Sequence, residues 1–237
     1  MTAARGRLAR WAACVALVAA LAATLDALDA EERRAERQDR LYFPSGRALV
    51  ESSLGFREAA ADYLWFRFVQ YFGSYAKGHH DLRYFDLLVD AITRLDPRFV
   101  EAYHFASLVA WSELGDFEKS IDLLKRGILA NPGAAKLHFQ VGFTYYVFYH
   151  DYPRAATWFE AAARCPDGGD IESRFAAFAR YRAGDDRVSL ELWREMARST
   201  GSPQMRELAE TMVGKLERKL KLQSQYGPGF IGPLPEM

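Results

Sequence analysis

Five histidines, two cysteines and a scatter of turn acids are the residues of this chain whose types could do chemistry. His79 and His80 stand side by side before Asp81, and His150 stands before Asp151. His104 and His138 occupy equivalent positions 34 residues apart. A metal site needs about three or four such side chains converging with bonds of about 2 Å. No spacing here specifies that, so no metal and no other cofactor is expected. Cys165 precedes Pro166 in a turn, with no histidine placed by a motif to activate it. Cys14 lies in an apolar run near the N-terminus, which leaves the body one thiol, no internal disulfide and no zinc spacing. Asp167, Asp170, Asp185 and Asp186 lie in glycine-containing turns that do not follow the calcium-loop pattern, and read as solvated turn acids. There is no phosphate-binding loop and no G-x-S-x-G. The chain is expected to bind rather than to catalyse. A hydrolase built on His104 or His138 is the enzyme alternative.

What could position a binding surface is a repeated element. The stretch LGDFEKSIDLLKRGILANP, residues 114–132, has a Gly-Asp turn, apolar residues at helical spacing, and a closing Asn-Pro. The grammar returns: Pro97, Pro132 and Pro166 stand 35 and 34 residues apart. In 101–132, Trp111 marks the first helix, Gly115-Asp116-Phe117 the turn, and Ser120, Leu124 and Gly127 the packing face of the second helix. In 135–166, Gly142 and Tyr145 take the first helix, and Tyr152, Ala155, Phe159 and Ala162 the second. The turn in this unit is expected to be one residue longer. A further unit at 170–201 places Ala177 and Tyr181, then Gly184-Asp185, then Ser189, Trp193 and Met196. A looser unit precedes them, with helices over 56–76 and 81–95 joined by KGHH. Small residues at Gly127, Gly142, Ala155, Ala162 and Ala177 permit close helix approach, and the aromatics fill the space beside them. Residues 203–222 repeat Met205, Leu208, Met212, Leu216 and Leu220 at three or four, opposite a charged side, as a terminal cap requires.

The period and these positions resemble the tetratricopeptide repeat (TPR) family over residues 56–222. The resemblance implies an all-α fold: a right-handed solenoid of helical hairpins, about four units plus a capping helix. It also implies a concave face lined by the first helix of each unit. On that face it places Phe105, Val109, Ser112 and Glu113 in the second unit. Lys136, Phe139, Phe143, Tyr146 and Val147 follow in the third, and Ile171, Arg174, Phe178 and Arg182 in the fourth. This is an aromatic trough with basic residues toward one end, suited to a partner helix or an extended apolar segment of a protein or peptide. The Lys-Asn pattern of the carboxylate clamp is missing. Self-occupation of the trough by the cap helix, the tail or the stalk stands beside this reading.

The N-terminus reads as a targeting segment. Arg5, Arg7 and Arg10 precede the uncharged run WAACVALVAALAATL, residues 11–25, and Asp26, Asp29, Glu31 and Glu32 follow it. A basic end, an apolar run and an acidic exit are expected of a signal anchor or a cleaved signal peptide over residues 1–26, with a soluble helix as the third reading. At about 1.5 Å per residue the run spans about 23 Å, short of a bilayer core of about 30 Å. Ala20-Leu21-Ala22 offers a cleavage site. Residues 27–55 read as a charged helical stalk and linker, broken at YFPSGR, and 223–237 as a flexible Gly/Pro tail. The anchor, the LYFPSG motif and the aromatic first helix together also resemble a group of membrane-anchored bacterial TPR proteins without an assigned activity. The expectation is thus a single-pass protein of the inner membrane with its body in the periplasm, or a periplasmic or secreted one after cleavage. It would act in an envelope assembly or export system. A structural subunit using its outer face is the alternative. Lys+Arg and Asp+Glu are both 31, so the basic excess of a nucleic-acid binder is missing.

Overall fold

The computed structural model describes Ala20, Ala23, Thr24, Asp26 and Ser53 together with residues 55–78 and 81–227. The chain divides into two compact units, Met1–Pro44 and Ser45–Met237. The division falls inside the segment read as stalk and linker. In the first unit the four described residues are helical. The anchor, the cleavage site and the stalk otherwise lie outside the described residues. Among the described residues no helix is long and apolar enough to cross a membrane.

The described part of the second unit is all-helical. Its helices are α1 (Arg57–Ala76), α2 (Phe85–Leu95), α3 (Val100–Ser112), α4 (Phe117–Ala130), α5 (Ala135–Thr144), α6 (Tyr152–Ala163), α7 (Asp170–Arg182), α8 (Asp186–Ser199) and α9 (Pro203–Tyr226). Each packs chiefly on the helices next to it in sequence, and α3 also meets α5. The stops and starts follow local chemistry. Gly115 and Gly184 take positive φ, 65° and 85°, where the first helix of a pair ends. Asp116 and Asp151 then accept the Lys119 and Arg154 backbone N–H at 2.9 and 3.0 Å, capping the second helices. Ser202 caps α9 in the same way.

The architecture is repeat-like. Polar contacts between successive pairs recur at one spacing. Lys119 bonds Asp86, Asn131 the Pro97 carbonyl, Lys136 Glu101, Tyr149 Glu118, and Lys219 Asp186. Their separations run from 31 to 35 residues. Inside a pair, the backbone of one helix comes close to rings of the other. A Cβ built on Gly127 would stand 2.8 Å from Cγ of Tyr103, and one on Gly142 2.8 Å from Cδ1 of Phe159. One core gathers Tyr103, Leu124, Leu137, Val141 and Phe159; another gathers Leu190, Trp193, Met196, Ala209 and Leu216.

Two local features differ from the sequence reading. The third pair does not have a longer turn. Its first helix instead continues past Thr144 as a π-turn over Tyr145–Tyr149, and only His150 and Asp151 link it to α6. His150 adopts φ 53°, the place that Gly115 and Gly184 hold in the neighbouring pairs. The extra residue is absorbed by widening the helix, because the Asp151 cap and the left-handed residue before it fix the turn. At the other end, Gln223–Tyr226, read as the start of the tail, belong to α9, which stops at Gly227 with φ 94°.

Candidate functional site

The trough residues come from the first helices α3, α5 and α7, and the structure distributes them over three aromatic groups. Phe105 on α3 turns toward α1. Its ring meets Trp65, Phe68 and Phe72 edge-on, with centroids 5.5, 5.7 and 5.2 Å away. Val109, one turn further, is 2% exposed and belongs to the core. Phe139, Phe143 and Tyr146 form the second group. Phe139 stacks on Phe143 and lies 5.1 Å from Phe159 and 5.0 Å, edge-on, from Phe175. Tyr146 is edge-on to Tyr152 at 5.2 Å. The third group is Phe178 against the fully buried Trp193, 4.9 Å apart and edge-on. Phe105, Phe139, Phe143, Tyr146 and Phe178 are all partly buried: part of each ring packs inward and the rest meets solvent.

The charged members have partners. Glu113 accepts the Tyr75 hydroxyl at 3.2 Å. Lys136 reaches both carboxylate oxygens of Glu101 at 2.9 Å. Arg182 donates to the Tyr152 hydroxyl at 2.7 Å and lies 4.8 Å over that ring, so its guanidinium is held along the aromatic surface. Arg174 lies 5.6 Å from the ring of Phe175. Ser112, Val147 and Ile171 are exposed. The combination of half-open rings with cations laid on ring faces can bury apolar area and orient an acidic group. It contains no aligned nucleophile and base.

The residues weighed for catalysis have structural employment. His104, between α3 and α5, is held below its ordinary value by burial and by the Lys136 ammonium, against Glu101 and a hydrogen bond to Gln140. His138 sets Nε2 3.0 Å from the Pro132 carbonyl and packs on Trp158, leaving Nδ1 buried without a partner. Each of these two rings thus has its own neighbours. His79 and His80 lie outside the described residues. Cys165 donates to the Ala161 carbonyl at 3.3 Å, and burial pushes its thiol up, away from reactivity. Among the described residues no group of His, Cys, Asp or Glu is placed to hold a metal. The turn acids are not simply solvated. Asp167 accepts the Ala135 backbone N–H at 2.9 Å, capping the helix of the preceding unit. Asp170 accepts the Thr200 hydroxyl. Asp186 is 7% exposed and paired with Lys219 at 2.7 Å.

Sequence reasoning missed two things here. One is Phe175, which joins Phe139 to Phe159; it stands one position past Arg174, the residue equivalent to Phe139, so the repeat phase did not point to it. The other is the outward face of α1, where Phe56, Tyr63 and Phe66 stand exposed. A helix as aromatic as 56–76 carries more apolar surface than one packing face uses, and that excess was readable. No protein-family model matches the chain, and a search of the curated proteins returns no match.

Proposed function

We propose that the second unit is a TPR-type right-handed solenoid that acts as a non-catalytic scaffold. It binds a partner protein or peptide along the first helices of its pairs. The observation that carries this reading is the row of half-open rings, Phe105, Phe139, Phe143, Tyr146 and Phe178, at recurring positions of α3, α5 and α7. The part of each ring that stays open costs hydration unless something covers it, and aromatic anchors supply most of the energy in peptide grooves. Arg174 and Arg182, held on ring faces, would orient an acidic end of the ligand. The basic N-terminus followed by the uncharged run 11–25 supports tethering at the inner membrane with the body in the periplasm, within an envelope assembly or export system.

The second reading is a structural subunit that uses its outer face. The mutual packing of Phe139, Phe159 and Phe175 favours it, because those rings already satisfy much of one another's apolar surface. Replacing Phe143 and Tyr146 by Ser separates the two. Captured from crosslinked membranes, the variant is expected to keep wild-type helicity and lose the partner recovered with the wild type. Recovery of the same partner at the same yield would end the groove reading and favour the outer face.

A further inference from the structure

The two ends of the described helix stack are finished differently. At the C-terminal end α9 buries Ala209 and Leu216 and turns Arg206, Glu207, Glu210, Glu217 and Arg218 to solvent. Stacked helix pairs need such a polar outer layer at each end. The face that α1 turns to solvent is apolar instead. Tyr63, Phe66 and Val69 stand 61%, 59% and 42% exposed, and Gly73 and Ala76 are exposed further along. Steps of three and four residues put all five on one side of the helix. The exposed residues from Tyr63 to Ala76 carry no charge; Asp62 and Lys77 bound them at the two ends.

Gly73 adds a second observation. It lies inside α1, where glycine weakens a helix relative to alanine, and a Cβ built on it would meet nothing within 4 Å. No neighbour in the fold uses its missing side chain. On an open helix face such a glycine lets another surface come close to the backbone. The order of the residues suits a second copy of α1 laid antiparallel. A twofold interface must be complementary to itself. Phe66 and Gly73 stand at equal distances on either side of a midpoint between Val69 and Gln70, as do Asp62 and Lys77. With a twofold axis at that midpoint, each Phe66 ring rests on the bare backbone at Gly73 of the other copy. Tyr63 comes level with Ala76, a second small residue, and Asp62 with Lys77. Asp62 and Lys77 are exposed and have no ion pair among the described residues. The patch thus carries both halves of each match, ring with small residue and acid with base. The contact is small. Two rings of about 200 Å², each more than half open, and their smaller neighbours offer on the order of 500 Å² per copy. Two copies then bury about 1,000 Å², the lower edge of a specific interface, so a reversible pair with a Kd on the order of 10 μM is expected.

We infer that the outward face of α1 pairs with the same face of a second copy, antiparallel, with Phe66 on Gly73 and Asp62 beside Lys77. The trough residues lie on α3, α5 and α7, so this pairing stands apart from whatever the trough binds. The test is sedimentation equilibrium of the full chain from about 1 to 100 μM, in a detergent matched in density to the solvent. The wild type should pass from monomer to dimer in that range. Gly73→Leu puts a good helix former into open space and keeps the run 11–25. It should retain wild-type helicity and raise Kd about tenfold or more. Asp62→Lys and Lys77→Asp set like charges against each other, and each should weaken self-association about threefold or more. An equimolar mixture of those two variants restores opposite charges across the interface and should pair as the wild type does. A wild type still monomeric at about 100 μM would overturn the inference and leave this face to a different protein. A Kd untouched by Gly73→Leu, or a mixture no tighter than its components, would overturn it as well.

Discussion

His104 is the residue whose surroundings predict a response to pH. Glu101 flanks it on α3, and Lys136 and Gln140 face it from α5; burial and Lys136 dominate and hold it below its ordinary 6.5. The folded chain therefore resists a proton that the unfolded chain accepts. Stability from this site is complete above about pH 6.5 and is lost as pH falls below that value through the lowered folded one. Between about pH 7.5 and 5.5 the wild type should lose more melting temperature than His104→Gln. Equal losses in the two would remove His104 from the account. At the same scale, the sequence did not separate the four turn acids, since all sit beside Gly or in a turn. Only the fold gives Asp186 to Lys219 and buries it, while Asp185 stays exposed beside Arg180.

At the level of elements, two glycines inside helices have opposite predicted behaviour. A Cβ on Gly142 of α5 would meet the Phe159 ring at 2.8 Å and the Ala155 carbonyl oxygen at 3.2 Å. On Gly214 of α9 it would meet nothing within 4 Å. Replacing glycine by alanine in a helix favours the helix by about 1 kcal/mol, whereas overpacking a tight contact costs about 1–3 kcal/mol. Gly214→Ala should thus raise the urea midpoint, and Gly142→Ala should lower it, by about 1–2 kcal/mol in stability. A stabilising Gly142→Ala would mean that α5 and α6 are further apart than described. The sequence reading of Gly142 as a close-approach residue came from its place in the period, and the packing agrees. The π-turn at Tyr145–Tyr149 was not readable, because YYVFY suits an ordinary helix equally well. What decides it is the fixed cap that follows, together with the 2.5 Å bond from the Tyr149 hydroxyl to Glu118 of the previous pair. That bond also pushes the Tyr149 hydroxyl up to about 12.

For the second unit as a whole, stability should be a sum over neighbours rather than one shared core. Trp193 is fully buried and shares its cluster with Ala209 and Leu216 of α9. A chain ending at Ser202 loses that cover. Hydrogen exchange should then speed up first in α7 and α8, while α3 and α4 stay protected. Loss of protection at one rate in all four helices would indicate a single cooperative core instead. The binding reading belongs to this scale too: the half-open rings lie on three separate helices, so only their joint placement makes a surface.

The sequence alone determined that helices alternate with short turns at a period near 34 residues, where close approach is required, and that 203–222 is an amphipathic helix. Those features follow from local rules of periodicity, capping and residue size. Tertiary structure alone decided which ring meets which: Phe105 with α1, Phe139 with Phe175, Arg182 on Tyr152. It also decided that the face of α1 is left open to solvent. Helical spacing fixes the side of a helix on which a residue lies. The partner about one repeat away is chosen by how neighbouring pairs rotate and settle, which no local pattern encodes.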